Sequence, residues 1–180
     1  MKVLTTPIAG LLIIEPDVFH DERGYFYECY NTEKFREIGI PDVFMQDNES
    51  RSKKGVLRGM YFQNPPYEQG KLIRVVKGAI WDVAVDIRKS SPTYGKYETI
   101  MLSEENKTLF WIPPGFAHGF ITLEEDTVLH YKCTNIYHKE AEDCLVWNDP
   151  DLAIKWPNEA PIVSGRDQGA GRFKDFNSRF

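Results

Sequence analysis

Residues 55–88 read GVLRGMYFQNPPYEQGKLIRVVKGAIWDVAVDIR and contain three strand-like runs in succession. The first run, residues 56–63, is rich in branched and aromatic residues, as strands are. It is followed by Asn-Pro-Pro, and asparagine and proline mark turns that end strands. The runs at 71–76 and 79–88 are separated by Lys77 and Gly78. Because glycine adopts the positive φ of a tight turn, this spacing predicts a β-hairpin between the two runs.

Charged side chains are concentrated in this same stretch. Side chains of the run 79–88 alternate between two faces, so Asp82 and Asp86 share one face and the large apolar residues share the other. Arg58, Lys71 and Arg74 lie nearby in the sequence. Charged groups are costly to bury unless they are paired. The cluster therefore indicates either a salt-bridged rim or a ligand site at the mouth of a barrel.

Length, charge and composition are those of an ordinary globular domain. The chain has 180 residues, 42% of them hydrophobic and 27% charged, which predicts one domain spanning residues 1–180. A net charge of -5 and the lack of any Lys/Arg-rich run argue against a nucleic-acid binder. No apolar stretch approaches a membrane span, and residues 1–10 lack a signal-peptide core. We therefore expect no membrane association and a cytoplasmic location.

Neither the cysteines nor the histidines have the spacing of a metal site. Cys29, Cys133 and Cys144 are scattered and lack CxxC spacing, so we expect reduced thiols. No HxH or HxxxE arrangement within a strand accompanies the four histidines, which are His20, His118, His130 and His138. Nucleotide-binding glycine motifs and a GxSxG motif are also absent from the sequence. We therefore expect no metal site.

Short strand-like runs recur at close spacing along the rest of the chain. They lie at residues 11–15, 24–30, 44–50, 97–102, 108–112, 117–123 and 127–134. Residues 31–38 are the one good helix candidate, with Asn31 or Thr32 as the cap and Gly39 at the end. This pattern predicts an all-β fold with one or two short helices, and a jelly-roll is the best match. From residue 147 onward we expect loops, with a mobile last dozen residues.

One tyrosine lies on a predicted strand near possible cations. Tyr131 shares a face with Leu129 and Cys133 in the run 127–134. A tyrosine can act as a general acid when neighbouring cations lower the pKa of its phenol. The alternative is a core tyrosine with a hydrogen-bonded hydroxyl, which is the more common case.

Ordered motifs over residues 5–167 resemble those of the dTDP-4-dehydrorhamnose 3,5-epimerase family. They are DERG at 21–24, QDN at 46–48, VLRG at 56–59, QGK at 69–71, DVAVDIR at 82–88, SPT at 91–93, GFAHGF at 115–120, YK at 131–132, NDP at 148–150 and WP at 156–157. Any one motif is weak evidence alone. So many motifs in the same order are highly specific for this family.

The resemblance implies a fold and a reaction. Members of the family are dimeric, cupin-like jelly-roll barrels that invert C3 and C5 of a dTDP-linked 4-keto-6-deoxyhexose, without metal or cofactor. A proton is removed next to the ketone, and the resulting enolate is protonated from the other face. Such a site needs a base, an acid and a cation near the developing oxyanion.

The resemblance also implies roles for individual residues of this chain. Tyr131 would be the acid, Lys71 would stabilise the enolate, and Asp167 would orient the base. Tyr137 would stack on the thymine. The other substrate contacts are implied at Arg23, Phe26, Glu28, Gln46, Asp47, Asn48, Arg58, His118, Glu142 and Arg166.

The position of the base departs from the family pattern. The family reads Leu-Arg-Gly-Leu-His-Phe/Tyr-Gln, and its histidine is the base, whereas residues 57–63 here are LRGMYFQ with Tyr61 in that place. A phenol titrates near pH ~10 and an imidazole near ~6.5, so the basic form of tyrosine is scarce at neutral pH. Lys71 and Arg58 would lower the pKa of Tyr61, while Asp167 would raise it.

Strand geometry adds a second expectation at this place. Arg58 and Tyr61 would face opposite sides of a regular strand. A bulge at Gly59 would turn both side chains inward, because an extra residue resets the alternation.

Three interpretations of the chain stay open at this point. The first is a 3,5-epimerase acting on dTDP-4-dehydro-6-deoxyglucose, in synthesis of dTDP-L-rhamnose-type sugars. The second is an epimerase that inverts one carbon, C3 or C5, of another nucleotide 4-keto sugar. The third is a catalytically impaired homologue that binds sugar nucleotides without the histidine base. The number of solvent deuterons that enter the 4-keto sugar distinguishes them.

Overall fold

A computed structural model describes residues 1–41 and 43–180 and shows the chain to be mostly β-strand. The strands are β1 Lys2–Thr5, β2 Leu12–Glu15, β3 Val18–Asp21, β4 Gly24–Tyr27, β5 Gln46–Ser52, β6 Val56–Gln63, β7 Lys71–Lys77, β8 Ala79–Asp86, β9 Tyr97–Ser103, β10 Leu109–Ile112, β11 Phe116–Thr122, β12 Thr127–Cys133, β13 Glu142–Cys144 and β14 Ile162–Val163. The helices are α1 Thr32–Glu37, α2 Gly165–Gln168 and a 3-10 turn at Phe173–Asp175. The predicted all-β class with one or two short helices is confirmed.

The strands form two main sheets and a separate hairpin. The first sheet has the order β1-β2-β10-β7-β12-β5, and the second has the order β13-β6-β11-β8-β9, with β14 parallel to β6. The separate hairpin is β3-β4. Neighbours in both main sheets are otherwise antiparallel. Few neighbours are adjacent in sequence, as expected for a jelly-roll in which strands alternate between sheets.

The main core lies between the two sheets. Ile73 and Phe110 of the first sheet meet Ile80 and Phe116 of the second, and all four side chains are buried. Burial of such side chains contributes about 1.5–3 kcal/mol each, so this layer is the main support of the barrel. At one end of the barrel the inward-facing residues become polar, and this end contains the site described below.

The predicted hairpin at Lys77 and Gly78 is wrong. Strand β7 pairs with β10 and β12, whereas β8 pairs with β11 and β9, so the two strands belong to opposite sheets. Gly78 does have the expected positive φ of +77°, and a Cβ there would lie 2.5 Å from Thr127 Oγ1. Turn chemistry thus specified the sharp reversal of the chain but not the hydrogen-bonding partners of the strands that leave it.

The predicted helix and its cap are confirmed. Asn31 Oδ1 accepts hydrogen bonds from the backbone N–H groups of Glu33 at 3.1 Å and Lys34 at 3.2 Å. These bonds satisfy donors that an uncapped first turn leaves free. Phe35 is buried against the outer side of the first sheet, and Gly39 follows the helix with a φ of +83°.

The C-terminal segment is more ordered than the sequence predicted. Phe173, Phe176 and Phe180 pack against the buried cluster that contains Phe62. The backbone N–H of Lys89 donates to the Phe180 carbonyl at 3.0 Å, so the last residue is also held by the main chain. These anchors are isolated aromatic residues without periodicity, which is why the sequence pattern indicated loops and a mobile end.

A bulge is present at Gly59, where the sequence left room for one without showing it. Tyr61 pairs with His118 and Arg58 pairs with Phe120, so β6 advances three residues while β11 advances two. Gly59 has a φ of +128°, a conformation that favours glycine. The extra residue resets the alternation of β6, and both Arg58 and Tyr61 line the same cavity.

Gly59→Ala is expected to lower the free energy of unfolding by about 1–3 kcal/mol, because the positive φ and the lack of space both oppose a Cβ. The added atom would overlap Gly119 Cα and lie 2.7 Å from the His118 carbonyl oxygen. The matched control is Gly165→Ala, where an added Cβ meets nothing within 4 Å. Urea unfolding measures both variants, and equal stability of the two would contradict this account of the bulge.

Candidate active site

A cavity of about 470 Å³ opens at the polar end of the barrel. Its volume lies in the range of small-molecule sites. Ten residues that the sequence analysis assigned to the site line it together: Gln46, Asn48, Arg58, Tyr61, Lys71, His118, Tyr131, Tyr137, Glu142 and Arg166. The other lining residues, which the sequence analysis did not assign, are Ser50, Phe62, Gln63, Gln69 and Phe120.

The two main sheets supply different walls of the cavity. Lys71 and Tyr131 come from adjacent strands of the first sheet, β7 and β12. Arg58, Tyr61 and His118 come from β6 and β11 of the second sheet. A ligand in the cavity therefore meets one set of polar groups on each side.

Lys71 lies in a partly closed part of the cavity. Burial lowers the pKa of the Lys71 ammonium, and the nearby Cys133, Asp82 and Glu142 side chains oppose that shift. Within residues 1–41 and 43–180, the ammonium forms no hydrogen bond or ion pair to protein. Its donors are therefore available to an oxygen of a ligand.

Tyr131 has the properties of a proton donor. Burial raises the pKa of its phenol, while Arg58 and a hydrogen bond with Asn48 act in the opposite direction. Neighbouring cations were expected to lower the pKa of the Tyr131 phenol, but desolvation by burial is the larger effect and raises it. A phenol that stays protonated at neutral pH suits the acid that the resemblance implied.

Tyr61 is bound to Asp167, as the resemblance implied for the residue in this position. The Tyr61 hydroxyl donates a hydrogen bond to Asp167 Oδ1. Asp167 is buried at the start of α2, where its backbone N–H donates to Ser164 Oγ at 3.2 Å. Asp167 thus lies behind Tyr61 and orients it.

This environment makes Tyr61 a poor base. Burial and the contact with Asp167 raise the pKa of the Tyr61 phenol well above its usual range, and Arg166 only partly opposes them. Lys71 and Arg58, which were expected to lower this pKa, do not control it. Tyr61 therefore remains a neutral donor at neutral pH.

His118 is held by a buried carboxylate that the sequence analysis did not assign to the site. Its Nε2 lies 3.0 Å from both carboxylate oxygens of Asp82. Asp82 is fully buried on β8, the strand beside β11. The alternation of residues 79–88 had placed Asp82 on the polar face, but the register between β8 and β11 was needed to find its partner.

Asp86 and Arg74, which the sequence analysis grouped with this cluster, lie elsewhere. Asp86 binds Arg88 in a salt bridge of 2.8 Å, and Arg74 Nη1 donates to the Tyr27 hydroxyl at 3.2 Å. Neither residue lines the cavity. The charged stretch thus combines both alternatives, a paired rim at Asp86 and a ligand site around Lys71 and Asp82.

The mouth of the cavity contains an exposed aromatic ring and an ion pair. Tyr137 is 50% exposed, and its hydroxyl donates to Glu142 Oε2 at 2.8 Å. The same Glu142 oxygen lies 2.6 Å from Arg166 Nη2. The backbone N–H of Tyr137 donates to Gln46 Oε1 at 2.7 Å, which fixes the loop that carries the ring. A flat base and an anionic group would both find partners here.

Four predicted substrate contacts do not reach the cavity of their own chain. Asp47 points to the other face of β5 and pairs with Lys132 Nζ at 2.9 Å, because its neighbours Gln46 and Asn48 take the inward positions. The remaining three belong to the β3-β4 hairpin and the residue after it, and these are Arg23, Phe26 and Glu28. Arg23 pairs with Asp21, and Glu28 pairs with Lys34 at 2.8 Å.

Other classes of site have little support in the described part of the chain. Among residues 1–41 and 43–180, no group of three or more His, Cys, Asp or Glu side chains has the arrangement of a metal site. All three cysteines are free thiols. No helix in the same residues has the length and apolar character needed to cross a bilayer.

Comparisons with known proteins identify relatives of the chain over nearly its whole length. A family model described as dTDP-4-dehydrorhamnose 3,5-epimerase matches residues 5–175. The enzyme of that name from Salmonella typhimurium is 51% identical over 172 residues, which is 94% of each chain. The crystal structure of the dTDP-4-dehydrorhamnose 3,5-epimerase from Elizabethkingia anophelis is 50% identical, covers 97% of both chains and has a TM-score of 0.93.

A third relative has been solved with a ligand. The dTDP-6-deoxy-D-glucose-3,5-epimerase of Legionella pneumophila, in complex with dTDP-4-keto-L-rhamnose, is 47% identical with a TM-score of 0.94. The match covers 98% of this chain and 94% of that one. Sequence motifs, fold and cavity therefore lead to one assignment. The chain belongs to the dTDP-4-dehydrorhamnose 3,5-epimerase family.

Proposed function

We propose that this enzyme inverts C3 and C5 of dTDP-4-dehydro-6-deoxyglucose in the synthesis of dTDP-L-rhamnose-type sugars. The observation that carries the proposal is the cavity between the sheets, with Lys71 and Tyr131 on one wall and proton-handling groups on the other. The relatives named above, which carry this activity in their names, support it. We take residues 1–180 as one domain, and a cytoplasmic location stays a prediction.

The arrangement suits proton transfer on two opposite faces of a sugar ring. Both C3 and C5 neighbour the C4 ketone, so one oxyanion position serves both inversions. The Lys71 ammonium would stabilise the enolate oxygen, which develops negative charge as the C–H bond breaks. Tyr131, on the wall of the first sheet, would then protonate the carbon from the face opposite to the base. These steps consist of proton transfers alone and require no metal or redox cofactor.

The nucleotide would occupy the mouth of the cavity. Arg58 and Arg166 present guanidinium groups, which pair well with phosphate oxygens. Tyr137 offers an exposed ring for stacking on the thymine. This placement leaves the sugar in the interior, next to Lys71 and Tyr131.

Conversion of the sugar tests the proposal. We expect proton NMR to show that dTDP-4-dehydro-6-deoxyglucose, incubated with the protein, changes into a product with new chemical shifts for H3 and H5 and a new H2–H3 coupling constant. A substrate spectrum that stays unchanged at high protein concentration would contradict the proposed function.

We further propose a homodimer in which each chain completes the site of the other. On the β3-β4 hairpin, Phe26 is 72% exposed and Phe19 is 65% exposed. The hairpin lies within the residues that the family model matches. Exposed aromatic side chains on a short hairpin favour contact with another protein surface. A second copy that received this hairpin would obtain Arg23, Phe26 and Glu28 for its cavity.

Mixing two inactive variants tests this exchange. Arg23→Ala and Lys71→Met are each expected to lose most activity, but a mixed dimer would contain one intact site. After random reassembly half of the dimers are mixed, so the mixture should recover about a quarter of the parent activity. Light scattering should give the mass of a dimer. A monomer mass, or no recovery on mixing, would contradict the exchange.

A further inference from the structure

The wall formed by the second sheet contains two hydrogen-bonded pairs, and they differ in their ability to accept a proton. In the first pair, the Tyr61 hydroxyl is already donated to Asp167. A phenol becomes a base only after it ionises, and the neighbouring carboxylate and burial both oppose ionisation of Tyr61. The group at the position of the family's base is therefore blocked as a base.

The second pair has the arrangement of a general base and its orienting carboxylate. His118 Nε2 faces both oxygens of Asp82, so a neutral imidazole donates its Nε2–H there and has its lone pair at Nδ1. Within the described residues, Nδ1 forms no hydrogen bond to protein, and His118 lines the cavity. Imidazole is the side chain best suited to exchange protons near neutral pH.

The position of His118 also fits the reaction. It lies directly opposite Tyr61 in the β6-β11 pairing, on the wall that faces Tyr131. Asp82 is close enough to Lys71 to influence the pKa of that ammonium, so His118, Asp82 and Lys71 form one group. A proton acceptor here would act beside the cation that stabilises the enolate.

Other candidate bases in this region are less suitable. Cys144 lies opposite Tyr61 in the β13-β6 pairing, but burial raises the pKa of its thiol to about 12. Burial also raises the pKa of the Cys133 thiol. Both thiols therefore stay protonated at neutral pH and supply no proton acceptor. Lys71 is needed in its protonated form, to stabilise the enolate oxygen, and so does not serve as the base.

We propose that His118 is the general base of this chain, with Asp82 as its positioning residue, in place of the base position that Tyr61 occupies. The proposal rests on the proposed function. In the step, the C–H bond next to the C4 ketone breaks and its proton moves to His118 Nδ1. The electron pair of that bond forms the enolate, whose oxygen lies beside Lys71. Tyr131 then donates its proton to the opposite face of the carbon.

A double-mutant cycle tests this assignment against a role of His118 in binding alone. The four proteins are the parent, H118N, Y61H and H118N/Y61H, and the measured quantity is the rate of deuterium incorporation at saturating substrate. H118N is expected to lower the rate at least about 100-fold with Tyr61 present, the loss typical of a general base. In the Y61H background the same change should cost less than about fivefold, since an imidazole held by Asp167 would act as the base.

Equal losses in the two backgrounds would overturn the assignment, because a contact used only for binding or folding does not depend on residue 61. Asp82→Asn supplies a second test that keeps an acceptor for Nε2–H but removes the charge. Asp82→Asn should lower the rate of deuterium incorporation strongly when Tyr61 is present and only slightly in the Y61H background. Calorimetry with dTDP and urea unfolding confirm that each variant binds and folds. A parent without any exchange would overturn the proposed function itself, whereas exchange that survives H118N would overturn only the assignment of His118.

Discussion

Replacing Tyr61 with histidine is expected to raise the rate of deuterium incorporation at C3 and C5 by about 10-fold to 1000-fold. The hydrogen-bond partner is already in place, because Asp167 is buried directly behind the side chain at position 61. That carboxylate would hold an imidazole in one tautomer and stabilise the imidazolium that forms. Lys71 and Tyr131 keep their places on the opposite wall. The substitution would therefore supply a second base to a site that is otherwise complete.

Tyr61→Phe is the matched control for this gain. It keeps the ring and removes the hydroxyl, so it should give no comparable increase. NMR detection of deuterium in the 4-keto sugar at pH 7 measures all three proteins. If the parent is fast at pH 7 and Tyr61→His makes it slower, Tyr61 is a working catalytic group. The interpretation that Tyr61 has replaced the base without acting as one would then be wrong.

Lys71→Met is expected to lower the turnover rate by about 100-fold to 1000-fold, the usual cost of removing a group that stabilises an oxyanion. Methionine keeps a flexible unbranched side chain of similar length, so packing should change little. The ammonium of Lys71 has no protein partner within the described residues, which leaves it free for the enolate oxygen. Binding of dTDP should weaken far less than turnover, because the nucleotide is expected at the mouth.

Lys77→Met is the matched control, since Lys77 lies on the same strand but is exposed and outside the cavity. Turnover measured with the 4-keto sugar and calorimetry with dTDP separate the two effects. If Lys71→Met retained more than about a third of the parent rate, Lys71 would have no role in stabilising the enolate.

Local features of the fold could be predicted because they depend on neighbouring residues. The Asn31 cap follows from a side-chain requirement that a short stretch of sequence expresses. The sequence offers Gly59 as a place for a bulge, but whether the bulge forms depends on the pairing of β6 with β11. The pairing of β7 with β10 and β12 could not be predicted in the same way. The turn at Gly78 fixes a reversal, and contacts between distant residues decide which sheet each strand joins.

The site, like the fold, could be predicted where short motifs identify residues and could not be predicted where contacts between distant strands decide. Motifs assigned Lys71 and Tyr131 to the site, and both side chains line the cavity. The contact between His118 and Asp82 depends on the register of β8 with β11, which the sequence does not express. Arg23, which the resemblance placed among the substrate contacts, pairs with Asp21 and does not line the cavity.

The count and position of solvent deuterons in the sugar show whether the protein inverts two carbons, one carbon or none. The parent protein is incubated in D2O with dTDP-4-dehydro-6-deoxyglucose until exchange stops, and NMR and mass spectrometry locate each deuteron. We expect two deuterons, one at C3 and one at C5, in a product inverted at both carbons. A single deuteron would identify an enzyme that inverts one carbon, and no deuteron would identify a binding homologue without turnover; either result would contradict inversion at both C3 and C5.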